Sequence, residues 1–275
     1  MDGYDLDFLP IALPLPEAPA DAQPVRLDYL HFTVLMDADR RLAALTAVNI
    51  DGARLVDVER SDDWHLDPRL PADQQCGPEL YARNDIDRGH LVRRRDPVWG
   101  GIAEAARASA DTFAYTNAAP QAAEFNQSKE LWLGLEDYVL DNADLGDRRM
   151  TVFTGPVFSD DDPVYRGVRI PLMFWKIAAW ASGDELAATA YLLDQAPELG
   201  DLDRRSATAT ADAPELGPYR TYQVAVSEIG ALTGFDVAQL AAADRLGVPA
   251  TARPGTPADG RDGWVELERF AAITL

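Results

Sequence analysis

The apolar residues of this chain come in short runs, and that spacing limits what it can fold into. LDYLHFTVLM at 27–36, LAALTAVNI at 42–50, TVFTGPVF at 151–158, VRIPLMFWKIAAW at 168–180 and ELAATAYLLDQ at 185–195 are all cut off by Gly, Pro, Asp or other polar residues. β-Branched and aromatic runs of this length are strands, although the last is equally readable as helix. Helical spacing appears at 100–113 and at 127–145, where Leu131, Leu135, Tyr138 and Val139 share one face. YRTYQVAV at 219–226 predicts a further strand, and SEIGALTGFDV at 227–237 a short helix that stops near Gly234. The expectation is an α+β fold with a central mixed, largely antiparallel sheet and packed helices.

At 275 residues and 47% hydrophobic, the chain can bury one sizeable core. Residues 1–26, rich in Pro, Asp and Ala, predict an extended arm on the surface, residues 27–247 the domain, and the Pro- and Gly-rich residues 248–275 a linker-like tail. The stretch 57–80 is charged and predicts a long surface loop leading into a strand within LYARNDIDRGHLV at 80–92. The N-terminus has no basic n-region, and no run approaches the roughly 18 apolar residues of a membrane span, so a cytoplasmic location without membrane contact is expected. Cys76 is the lone cysteine and suits a reducing compartment.

The formal charge of -21, from 46 acidic against 25 basic residues, argues against coating nucleic acid by bulk attraction. Fields are local, however, and within a Debye length of about 8–10 Å a basic cluster can dominate a cleft. The densest such cluster runs from Arg88 through Arg93, Arg94 and Arg95. Within it, Arg88 and His90 are two residues apart in strand-like sequence and so point to one face. Arginine presents a planar fork to phosphate oxygens, and a histidine near its usual pKa of about 6.5 can take a proton from water. Taken alone, the tetrapeptide is better served by a blander assignment: Arg88 paired with Asp87 on the surface, and His90 an ordinary half-buried histidine.

DRGH at 87–90 is followed in order by TNAAPQ at 116–121, FNQS at 125–128, a W-x-G-L-E pattern from Trp132 to Glu136, and VFTGP at 152–156. This series resembles the DNA/RNA non-specific endonuclease family, the ββα-metal nucleases that include mitochondrial endonuclease G, over roughly residues 27–245. The resemblance implies a ββα-metal active site and hydrolysis of DNA and RNA phosphodiesters without sequence or sugar specificity. It makes His90 the general base and Arg88 the group that stabilises charge on the phosphate. Asn126 becomes the direct ligand of Mg²⁺, with Mn²⁺ as substitute, and Glu136 orients the waters around the metal. The gap from Asn126 to Trp132 is longer than the family's commonest spacing, which an extra half-turn before the helix absorbs. Many relatives carry an Arg one turn beyond the Glu. Here that position is Leu140, and the basic helper is sought in Arg93 or Arg94.

Asn117 either contacts phosphate or orders the loop as a turn former. His31 and His65 are assigned no role, and the run Asp160 to Asp162 reads as a solvated turn. Trp175 and Trp180 read as core, whereas Trp99, just after the basic run, is the candidate for stacking on bases. The partners expected are the DNA and RNA backbones, with a protein inhibitor or activator and a second copy of the chain kept open. The competing function is a nuclease toxin or defence effector controlled by a protein partner.

Overall fold

The computed structural model describes residues 2–84, 86–122, 148–196, 220–246 and 263–267. The run at 27–36 is two strands, not one: β1 (Val25–Tyr29) and β2 (Phe32–Asp37) pair antiparallel around Leu30 and His31. Neither turn residue is one that usually advertises a turn. His31 sits at φ +70°, a conformation that costs a non-glycine residue energy. Its imidazole meets that cost through tertiary contacts. Nδ1–H donates to the Pro97 carbonyl at 2.8 Å, and the ring stacks 3.5 Å from that of Trp99.

From β2 the chain turns at Asp37 to Arg41 into β3 (Leu42–Asp51), the Asp37 carboxylate accepting the Arg40 N–H at 2.8 Å. After the short helix α1 (Pro78–Tyr81) come β4 (Ile86–His90), α2 (Ile102–Asp111) and β5 (Ala118–Ala122). Next follow β6 (Arg149–Val157), the minor pair β7 (Val164–Tyr165) and β8 (Val168–Arg169), β9 (Met173–Ser182) and β10 (Glu185–Asp194). The run at 185–195 is thus strand: its pairing with β9 on one side and β11 (Arg220–Val224) on the other outweighs its alanine content. The helices α3 (Val226–Thr233) and α4 (Ala238–Ala242) and the strand β12 (Val265–Glu266) complete the described chain. α3 ends at Gly234, whose φ of +74° is the left-handed cap that glycine permits.

Eight strands form one sheet in the order β1-β2-β3-β6-β9-β10-β11-β12, and each adjacent pair runs antiparallel. Alternation sends Val34, Val48, Val152, Phe174 and Tyr191 to one face, and Leu45, Phe153, Trp175, Ile177 and Leu192 to the other. Both faces are covered, which is why these strands read as continuous apolar runs.

Two sequence expectations are corrected at the ends of the chain. The N-terminal arm does not simply lie on the surface: Tyr4, Phe8, Leu9 and Leu13 are buried against the Trp175 face, alongside α3 and α4. The Tyr4 hydroxyl donates to the Leu13 carbonyl at 2.7 Å, so the arm closes on itself while its rings pack. Of the tail, Val265–Glu266 form an edge strand rather than a linker, and the following Leu267 is buried with its N–H bonded to the Thr221 carbonyl at 2.8 Å. The helix expected at 127–145 lies outside the described residues.

Candidate active site

β4 and β5 form a two-stranded ribbon apart from the main sheet, with Arg88 opposite Pro120, Gly89 opposite Ala119 and His90 opposite Ala118. The strand period puts Arg88 and His90 on one face, as the sequence spacing demanded. A Cβ at Gly89 between them would meet the end of the buried Gln121 side chain 2.0 Å away, which would have to shift to admit it.

Asn117 extends the ribbon past His90. Its Oδ1 accepts the Val92 N–H at 2.8 Å, and its two amide hydrogens go to the carbonyls of Val92 at 2.9 Å and Thr112 at 3.0 Å. Its own carbonyl accepts the Leu91 N–H at 3.0 Å. The side chain is fully buried and faces protein on every side, so Asn117 orders the loop, and the expected phosphate contact finds no exposed atom. α2 carries this loop: Ala105 and Ala108, both fully buried, let the helix approach closely, and Thr112 ends it.

The His90 ring lies between Trp64, 4.7 Å away at 51°, and Phe113, 5.0 Å away and edge-on. Its Nε2 is sealed from solvent and has no hydrogen-bond partner among the described residues. Burial pushes the imidazole down to about 3, with Arg60, Arg94 and Arg88 acting in the same direction and Asp62 opposing. At neutral pH the imidazole is unprotonated.

Arg88 is exposed, and its guanidinium sits 5.2 Å above the Trp64 ring. Arg93 and Arg94 are half-buried in the turn after β4, and Arg95 is exposed. Arg94 is held below the usual arginine range by burial and by repulsion from Arg60, Arg95 and Arg93, with Asp57 opposing, which marks a concentration of positive charge. Part of that charge is offset: Asp62 lies 2.8 Å from Arg60 and Asp57 lies 3.8 Å from Arg95. Arg60 and Trp64 were not legible as site residues. The only signal was a tryptophan standing in an otherwise charged loop.

Trp99, the candidate for base stacking, belongs to the core instead. Its indole N–H donates to the Asn49 carbonyl at 2.8 Å, and the residue is buried beneath His31. Trp175 and Trp180 are buried, and His31 and His65 stay outside the site. In the run Asp160 to Asp162 the Asp160 side chain is 95% exposed, whereas Asp162 is buried and accepts the Ser159 N–H at 2.9 Å. Asn126 and Glu136 lie outside the described residues. Among the described residues, no group of three His, Cys, Asp or Glu side chains is placed to hold a metal ion.

The sequence model of the DNA/RNA non-specific endonucleases matches residues 12–244. The chain belongs to that family. An uncharacterized protein of Sinorhizobium fredii, y4fB, is 40% identical over 275 residues, spanning 92% of this chain but only 41% of that protein. A protein named nuclease from Nostoc sp. is 26% identical over 227 residues, or 79% of this chain and 77% of that one. A chain in the crystal structure of the EndoG/EndoGI complex superposes with a TM-score of 0.58 at 16% identity, covering 80% of this chain and 87% of that chain. At that identity the likeness speaks for the fold: the large antiparallel sheet is that of the ββα-metal nucleases. Among the described residues, no helix is long and apolar enough to cross a membrane.

Proposed function

We propose that the chain is a Mg²⁺-dependent endonuclease that hydrolyses phosphodiester bonds of both DNA and RNA, with His90 as general base. One observation carries this reading: a neutral imidazole whose Nε2 has no partner among the described residues stands on the same ribbon face as Arg88 and beside Arg94. The imidazole accepts a proton from water as the water oxygen bonds to phosphorus and the 3′-oxygen leaves. Arg88 offers its fork to the phosphate oxygens and stabilises the charge that builds on them, with Arg93 and Arg94 binding neighbouring phosphates. Guanidinium contacts to phosphate read neither base edge nor 2′-hydroxyl, so both nucleic acids are substrates.

Among the described residues, the charged groups acting on His90 are mostly cations, and the residues that would hold the metal lie outside them. Asn126 would be the direct ligand and Glu136 would orient the surrounding waters. Such sparse ligation suits Mg²⁺, which keeps several of its waters, with Mn²⁺ as substitute. When bound, the ion supplies charge neutralisation at the phosphate and the leaving oxygen. The test is cleavage of a supercoiled plasmid and of an RNA transcript, each with Mg²⁺ and with EDTA. Both should be cut with Mg²⁺ and neither with EDTA, and cutting of one nucleic acid alone would refute the lack of sugar specificity.

A second reading, a nuclease effector restrained by a protein partner, is favoured by the net charge of -21, which suits a protein surface better than a polyanion. The solved neighbour comes from a complex described as a mechanism of EndoG inhibition. A stable partner retained through purification from the native cell would support it.

A further inference from the structure

Building on the reading of His90 and Arg88 as reacting groups, we propose that Trp64 is a positioning residue that holds both in register through one indole ring. The ring touches the His90 imidazole at 4.7 Å and underlies the Arg88 guanidinium at 5.2 Å. A single side chain thus spans the proton acceptor and the phosphate fork. Arg88 is otherwise exposed, and an exposed arginine samples many rotamers; a π face beneath it restricts them while leaving the N–H donors free for phosphate.

Trp64 is itself well fixed. Its ring packs edge-on to Phe113 at 5.3 Å and tilted against Tyr115 at 5.6 Å. The next residue is tied on both sides: His65 N–H donates to the Phe113 carbonyl at 3.1 Å, and its carbonyl accepts the Tyr115 N–H at 2.9 Å. Those contacts lock the indole to the segment between α2 and β5, the same segment that Asn117 ties to the end of β4. Distance along the chain, from 64 to 88 and 90, hides the arrangement from any local motif.

The experiment compares Trp64→Phe with Trp64→Leu, using Mg²⁺ and one short duplex in steady-state and single-turnover assays. Both substitutions keep apolar bulk, but only Phe keeps a π face. Trp64→Phe should stay within a few-fold of the wild-type kcat. Trp64→Leu should lose about 10- to 100-fold in kcat, the scale of a small misplacement of reacting groups, with KM changed only a few-fold because Arg93 and Arg94 still bind phosphate. Equal activity in the two variants at equal melting temperature would overturn the proposal, since a purely space-filling Trp64 predicts that result. A loss confined to KM would overturn it as well. Wild type and His90→Ala run beside them separate the two ideas. If wild type cuts, His90→Ala does not, and Leu matches Phe, the positioning role alone falls. If His90→Ala cuts like wild type, the underlying assignment of the base falls.

Discussion

His90 is the residue whose environment makes the strongest statement. The unfolded imidazole titrates near 6.5, and burial among arginines takes the folded group to about 3, so between these values the unfolded chain binds a proton that the native one refuses. Stability therefore rises with pH across that window and is lost as pH falls below 6.5, by at most about 1.4 kcal/mol per pH unit for one proton. His31 is also lowered, chiefly by burial, and adds in the same direction. Urea unfolding of wild type and His90→Gln from pH 4.5 to 7.5 should show a shallower dependence in the variant; parallel curves would mean that His90 is open to solvent. A strand period of two set Arg88 and His90 on one face, but their candidacy came from the ordered series of motifs from DRGH to VFTGP and not from the tetrapeptide alone. Arg60 and Trp64 were not legible, since they reach His90 only when the loop before α1 folds back. Trp99 misled for the converse reason: proximity in sequence to a basic run says nothing about which way an indole faces.

At the level of elements, the ribbon is held by side chains that stand in for backbone. Asn117→Ala removes partners from the Val92 N–H and carbonyl and from the Thr112 carbonyl, all buried, and should cost about 2–4 kcal/mol of stability. Chemical denaturation measures it. Wild-type stability combined with weakened DNA binding would restore Asn117 to the substrate. The loop before the ribbon is anchored by Tyr29, whose hydroxyl bridges Asp67 and Thr116, while Arg69 caps the same carboxylate. The apolar runs at 42–50, 151–158 and 168–180 pointed to the strands observed at 42–51, 149–157 and 173–182, because burial on both faces makes continuous apolar runs. The β1–β2 turn stayed hidden, because His31 reaches positive φ by tertiary contacts that no turn residue announces.

Across the whole molecule, an arm of unpromising composition completes the core. Leu13 is 1% exposed on the Trp175 face, and Leu13→Ala should cost about 2–5 kcal/mol. A change under about 0.5 kcal/mol would return the arm to the surface. On a body of charge -21, polyanion binding is proposed to rest on the guanidiniums around β4. With roughly two to four phosphate contacts, log K against log salt should slope by about -2 to -4 on duplex DNA, and Arg94→Ala should make it shallower by about one unit. A slope near -8 would require a broad basic face. The central claim is that His90 takes the proton from the attacking water, and the most direct measurement is single-turnover cleavage of one duplex by wild type and His90→Ala at equal Mg²⁺, with affinity measured in parallel. The account predicts a rate lower by about 10²–10⁴-fold with affinity nearly unchanged; equal rates, or a loss accounted for by weaker binding alone, would contradict it.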